Sequence, residues 1–260
     1  MKYLIANWKM KLSPQDELAL AKRIAKHVFD PNKLTVILAP TFLTLERIHA
    51  AIKTTPVLLA AQDCFWEDSG AYTGEISPSY LSSIGCTHVI IGHSERRIYL
   101  SETPKNINAK IIAVVDALLT PILCVGESAE ERISGAKDHI VRRQIESALE
   151  NVELVGGSAY RAGRQKLIIA YEPVWAIGTG HAAKAEEIVY MHQVIRQALI
   201  DIFPREVVDN NTAIFYGGSV DNKNIGEFIK EEIVQGALVG SASTKADEFF
   251  AVIDSMQKYA

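Results

Sequence analysis

Short, almost wholly apolar runs recur along this chain, each followed by a longer stretch in which apolar residues return with helical spacing. The runs are YLIAN near residue 3, LTVILAP near 34, VLLAAQ near 57, THVIIG near 87, PILCVG near 121, KLIIAYE near 166, TAIFYGG near 212 and VQGALVG near 234. Between them, segments such as PQDELALAKRIAKHV, SAEERISGAKDHIVRRQIESALE and AEEIVYMHQVIRQALI keep one apolar face, which predicts amphipathic helices. The alternation predicts eight parallel strands joined by crossovers. Their lack of polar alternation indicates burial on both faces. Eight such units within 260 residues match a closed (β/α)8 barrel. No Pro/Gly/Ser-rich linker and no shift of composition interrupts them, so the chain reads as α/β and as one barrel domain over residues 1–260.

In such a barrel the chemistry sits where strands end and βα loops begin. The strand ends here carry Asn7 and Lys9, then Gly92-His93-Ser94-Glu95, Glu172, Gly217-Gly218-Ser219 and Gly240-Ser241. Each has a plain reading: a solvated carboxylate, a hydrogen-bonded histidine, a surface lysine, a tight turn. Convergence on one mouth gives each a chemical one. Tyr171, Pro173, Val174 and Trp175 flank Glu172 and would strip water from its carboxylate, as suits a general base. Ser94 is placed to cap a helix starting at Glu95, whose N-terminus would favour a neutral His93 ring. Lys9 suits a phosphate or a developing enolate. The glycines after the seventh and eighth strands suit phosphate held by backbone N–H groups.

Composition narrows the partners. With 27 Lys and Arg against 31 Asp and Glu, a net charge of −4 supplies no general field for nucleic acid or an anionic membrane. The opening MKYLIANWKMKL does not read as a signal peptide, and no apolar run is long enough to cross a bilayer. Three scattered cysteines, Cys64, Cys86 and Cys124, argue against a disulfide framework and for a reducing cytoplasm. The histidines show no clustered metal-ligand spacing, so no metal is expected. Residues 178–183, GTGHAA, match G-x-G-x-x-A, but Pro173 to Ile177 separate them from the strand, and no acidic residue closes the next one. A dinucleotide is therefore not expected, and no cofactor is predicted.

The motifs NWKM at 7–10, AYTGEIS at 71–77, IGHSERR at 91–97, CVGES at 124–128, AYEPVWAIGTG at 170–180, YGGSV at 216–220 and LVGSAS at 238–243 resemble the triosephosphate isomerase family in order and spacing over essentially the whole chain. The resemblance implies a single-domain TIM barrel that interconverts dihydroxyacetone phosphate and D-glyceraldehyde 3-phosphate through an enediolate, without a cofactor, in glycolysis and gluconeogenesis. It implies Glu172 as base, His93 as neutral electrophile, Lys9 as stabilising cation, Asn7 beside it and Glu95 as supporting acid. It places the substrate against Asn7, Lys9, Gly178, Ser219, Gly240 and Ser241. It also implies a lid over 173–183, hinged at 173–175 and 181–183, and a homodimer formed through the loop 64–77. Ser241 and Ala6 stand where the family more often has glycine, and His181 where it commonly has lysine. Residues 151–166 read as a long surface loop. Two other classes remain at this point: another phosphate-binding barrel enzyme, and a barrel that binds phosphate without catalysis.

Overall fold

The computed structural model describes residues 1–154, 166–178 and 182–259. Most of the long loop read over 151–166, and Thr179, Gly180 and His181 of the lid stretch, lie outside the described residues. The strands are β1 (Lys2–Asn7), β2 (Leu34–Ala39), β3 (Leu58–Ala61), β4 (His88–Ile91), β5 (Thr120–Val125), β6 (Leu167–Tyr171), β7 (Thr212–Tyr216) and β8 (Gly236–Val239). They pair in parallel and in chain order, and β8 closes on β1 through Tyr3 opposite Gly236. Their helical connections begin with α1 (Pro14–Ile24), α2 (Leu45–Ile52), α3 (Pro78–Ser83), α4 (Ser94–Tyr99) and α5 (Pro104–Asp116). They continue with α6 (Ala129–Ile133), α7 (Lys137–Ala148), α8 (Ala185–Ile202), α9 (Arg205–Asn211), α10 (Ile225–Ile229) and α11 (Ala246–Gln257). The result is a closed (β/α)8 barrel.

Successive strand residues face opposite sides, which divides the core in two. Tyr3, Ile5, Ile37, Ile90, Ile122, Ile168 and Phe215 fill the barrel, while Leu4, Ala6, Leu38, Val89, Leu123 and Ile169 pack outward under the helices. Gly236 shows how tightly the interior is filled. A Cβ there would lie 2.6 Å from the Tyr3 carbonyl oxygen and 2.8 Å from the Phe215 ring, so the space of a side chain is already taken by the β1 backbone and an aromatic ring.

Two local expectations are corrected. The amphipathic stretch 128–150 forms two helices, because Gly135 adopts φ +76° just after Ser134 and ends α6; α7 then starts anew at Lys137. Apolar spacing continues across the break, so periodicity alone hides it. The first helix also stops at Ile24, short of the pattern that runs to Val28, and Val28 is exposed.

One packing detail has a pH signature. His192, on the inner face of α8, is fully buried; its Nδ1 donates to Ile188 O at 2.8 Å and its ring meets Tyr171 edge-on. Burial pushes the imidazole down from 6.5 to about 4. The unfolded chain therefore takes up a proton at this residue below pH 6.5, while the folded chain does so only near pH 4. Its contribution to stability is complete above pH 6.5 and is lost as pH falls toward 4. Denaturant unfolding should show His192→Phe losing about 1 kcal/mol less per pH unit than the unmodified protein across this window. Parallel stability curves would show that His192 does not titrate in this way.

Candidate active site

At the C-terminal end of the barrel a cavity of about 310 Å³ opens among the βα loops. Asn7, Lys9, His93, Glu95, Glu172, Gly178, Ser219, Gly240 and Ser241 all line it, so every residue singled out for the site meets there. They come from the ends of five strands, which the closed topology brings together although they are far apart in sequence.

Asn7 ends β1 buried, and Lys9, two residues on, has φ +53°, a left-handed backbone that a non-glycine residue adopts only when held. Both sides of the residue are held. Asn7 Oδ1 accepts from Lys9 N–H at 3.1 Å, and Gln62 Nε2 donates to Lys9 O at 2.9 Å and to Ala39 O at 2.9 Å. This turn directs the ammonium into the cavity, where Nζ lies 2.6 Å from Glu95 Oε1.

After β4, Gly92 at φ +70° turns the chain so that His93 stands at the start of α4. The cap of this helix is His93 itself, not Ser94. Its Nδ1 accepts from Glu95 N–H at 3.2 Å. With Nδ1 in the acceptor role, Nε2 is the ring position left to donate. That Nε2 faces Glu172 Oε1 at 3.2 Å. Ser94 contributes its backbone instead, its N–H donating to Glu172 Oε2 at 3.3 Å.

Glu172 follows β6 and is only 2% exposed. Its N–H donates to Val125 O at 2.7 Å, and two glycines make room for it. A Cβ on Gly126 would fall 1.7 Å from the Glu172 carbonyl oxygen, and one on Gly217 would fall 2.9 Å from Glu172 Cγ. Cys124 lies below; its burial first, and the neighbouring Glu172 charge second, hold the thiol well above its ordinary range, so it stays a neutral wall.

Several supporting residues escaped the sequence reading. Glu127 is fully buried, accepting from Tyr171 Oη at 3.1 Å and from Trp175 Nε1 at 2.8 Å; Trp175 in turn lies under the Arg132 guanidinium, 4.1 Å from its ring centre. On the far side of the undescribed residues, Ala183 N–H donates to Tyr216 Oη at 3.0 Å. Arg97 spans β4 and β5, donating to Gly92 O at 2.7 Å and Cys124 O at 2.6 Å. A signal for Glu127 was present: CVGE after β5 repeats the design of AYE after β6, an apolar strand ending near a glutamate. Gln62 and Arg97 had no such mark, because their work is done on backbone carbonyls of other strands.

The fold and this convergence define a (β/α)8-barrel enzyme, with a buried carboxylate, an imidazole and a lysine ammonium facing one small cavity. The family model described as triosephosphate isomerase matches residues 2–256. Among curated relatives, the triosephosphate isomerase of Dictyoglomus turgidum is 40% identical over 254 residues, covering 98% of this chain and 99% of that protein. Those of Dictyoglomus thermophilum, 41% identical with the same coverage, and Geobacter metallireducens, 39% identical over 96% of this chain and 97% of the relative, are similar to it as well. The chain belongs to the triosephosphate isomerase family. Among the described residues no group of three metal-ligating side chains comes together, and no helix is long and apolar enough to cross a membrane.

The close approach at Gly126 makes a sharp prediction. Gly126→Ala forces the Glu172 backbone to move; overpacking of this kind costs about 1–3 kcal/mol. Displacing the carboxylate by about 1 Å lowers turnover on the order of 10²-fold. Urea unfolding and isomerase assays on the same preparation check both losses, and a variant of normal stability and activity would show that the loop after β5 yields freely.

Proposed function

We propose that the chain interconverts dihydroxyacetone phosphate and D-glyceraldehyde 3-phosphate, the reaction of its family, with Glu172 as the proton-transferring base, His93 as the neutral acid and Lys9 as the cation beside the reacting oxygens. Glu172 takes the proton from the carbon next to the carbonyl. The electron pair of that C–H bond forms the C=C bond, and the carbonyl π pair moves to oxygen as an enediolate. His93 Nε2–H donates to this oxygen, and Lys9 opposes its charge. The ring then passes a proton between the two oxygens, and Glu172 returns its proton to the neighbouring carbon, so the step is redox-neutral overall. Asn7 holds the Lys9 turn, and Glu95 positions the ammonium and, through its N–H, the imidazole. Gly178, Ser219, Gly240 and Ser241 border the part of the cavity where the phosphate fits.

The observation that carries this reading is the 3.2 Å approach of His93 Nε2 to a buried Glu172 carboxylate, with the other ring nitrogen occupied as an acceptor. A non-catalytic phosphate binder has no use for that pair. The test is Glu172→Asp, which keeps a carboxylate but withdraws it by about 1 Å. Turnover in a dehydrogenase-coupled assay should fall about 10²-fold while thermal unfolding is unchanged. Near-normal turnover would remove Glu172 from the role of base.

The same reading includes a homodimer and a cytoplasmic location. Phe65 stacks on Trp66 and meets Tyr72 at a tilt within the loop 64–77, which is tied at its base by Phe65 N–H to Ile76 O at 2.8 Å. Below it, Lys110 and Arg96 each reach Asp63 at 2.8 Å, anchoring the start of the loop. Neighbouring βα segments, the end of α4 among them, expose Met10, Leu43, Ile98, Tyr99 and Leu100, an apolar surround of the kind that partners cover. Cys64, Cys86 and Cys124 are all free and buried, which suits a reducing compartment. Charged substitutions at Thr73 and Gly74, both exposed, should give a monomer of low activity by analytical ultracentrifugation and assay. A monomeric, fully active unmodified protein at micromolar concentration would end the dimer reading.

A further inference from the structure

Charge around the cavity is unevenly committed. Its charged lining among the described residues consists of Lys9, Lys11, Glu95 and Glu172. Lys9 is engaged by Glu95 at 2.6 Å, at the end where His93 and Glu172 stand. A phosphate monoester carries close to −2 at neutral pH. Without Lys11 the two carboxylates outnumber the one lysine, and the dianion would meet a lining of its own sign. Lys11 is the cation that balances them: its Nζ donates to Ser241 Oγ at 2.7 Å, beside Gly240, which faces the Lys9 side chain. Ser241 directly follows Gly240 in the loop after β8, so the contact joins the loop after β1 to the loop after β8, and the β1–β8 pairing that closes the barrel sets the span between them.

From this we infer that Lys11 and Ser241 form a two-residue clamp for the phosphate group of the substrate. The inference rests on the proposed function only for the presence of a phosphate. The chemistry follows from the direction of the hydrogen bond. Ser241 Oγ accepts from Lys11, which leaves its O–H to donate to a phosphate oxygen, while the ammonium keeps two N–H groups and its full charge. The two side chains need each other: the hydroxyl holds a long, exposed lysine over the cavity, and the lysine orients the hydroxyl. A side chain at position 241, where the family more often has glycine, thus adds a recognition element to a backbone N–H.

The test uses the whole protein with inorganic phosphate as probe, measured by calorimetry so that no turnover is required, alongside isomerase kinetics. Lys11→Met should weaken inorganic phosphate binding and raise KM about fivefold each, the scale of one exposed charge contact, with the loss falling mainly on KM. Lys11→Arg should restore most of the affinity. Ser241→Ala should weaken phosphate by a smaller factor, and the double variant should be no worse than Lys11→Met alone, because the pair acts as one unit. Added salt should weaken phosphate binding more steeply in the unmodified protein than in Lys11→Met. Unchanged phosphate affinity in Lys11→Met overturns the clamp, and so do effects of the two single variants that simply add. If phosphate binding depends on Lys11 but the unmodified protein does not isomerise triose phosphates, the proposed function fails and the clamp stands.

Discussion

Everything at the mouth of this barrel is arranged around one carboxylate kept almost out of water. An ionised group in that position is costly unless its oxygens find donors. Glu172 has the Ser94 N–H on one oxygen, and His93 Nε2 stands 3.2 Å from the other. Both come from the loop after β4, two strands away from β6 around the barrel. The space has to be cleared on either side as well, by Gly126 after β5 and Gly217 after β7. Four consecutive strands are thus bound to one side chain, and the closed sheet is what holds them to fractions of an ångström.

The same demand explains the strain nearby. Lys9 keeps a left-handed backbone that costs energy, and the molecule spends Asn7 and Gln62 on maintaining it. An unstrained backbone there would send the ammonium elsewhere. Beyond the base, Glu127 receives Tyr171 and Trp175, and Tyr216 receives the Ala183 N–H, so the chain is tied both where it leaves β6 and where it approaches α8. These anchors lie within a largely apolar shell, where each hydrogen bond is expensive to leave unmade.

Legibility differed between levels for a physical reason. All eight strands were readable from apolar runs, because burial on both faces leaves a signature in each run by itself. The chemistry-bearing residues at strand ends were readable too, because a polar residue or glycine at the end of an apolar run stands out. The break at Gly135 was not, since helical apolar spacing passes through it undisturbed. Nor was the choice of cap at α4: Ser94 has the usual capping side chain, yet His93 takes the position because its ring must face Glu172, and only the neighbouring strand supplies that requirement.

Taken alone, then, the amino-acid sequence determined the α/β alternation, the barrel, the cast of the site and, through its motifs, the family, since these depend on local periodicity and on residue types in order. Only the tertiary structure decided which nitrogen of His93 faces Glu172, why residues 126 and 217 are glycine, that Gln62 holds the Lys9 turn, and that Lys11 meets Ser241. Each of these is a contact between strands or loops far apart in the chain, and its outcome depends on distances of a few ångströms set by barrel closure. No pattern of neighbouring residues encodes them.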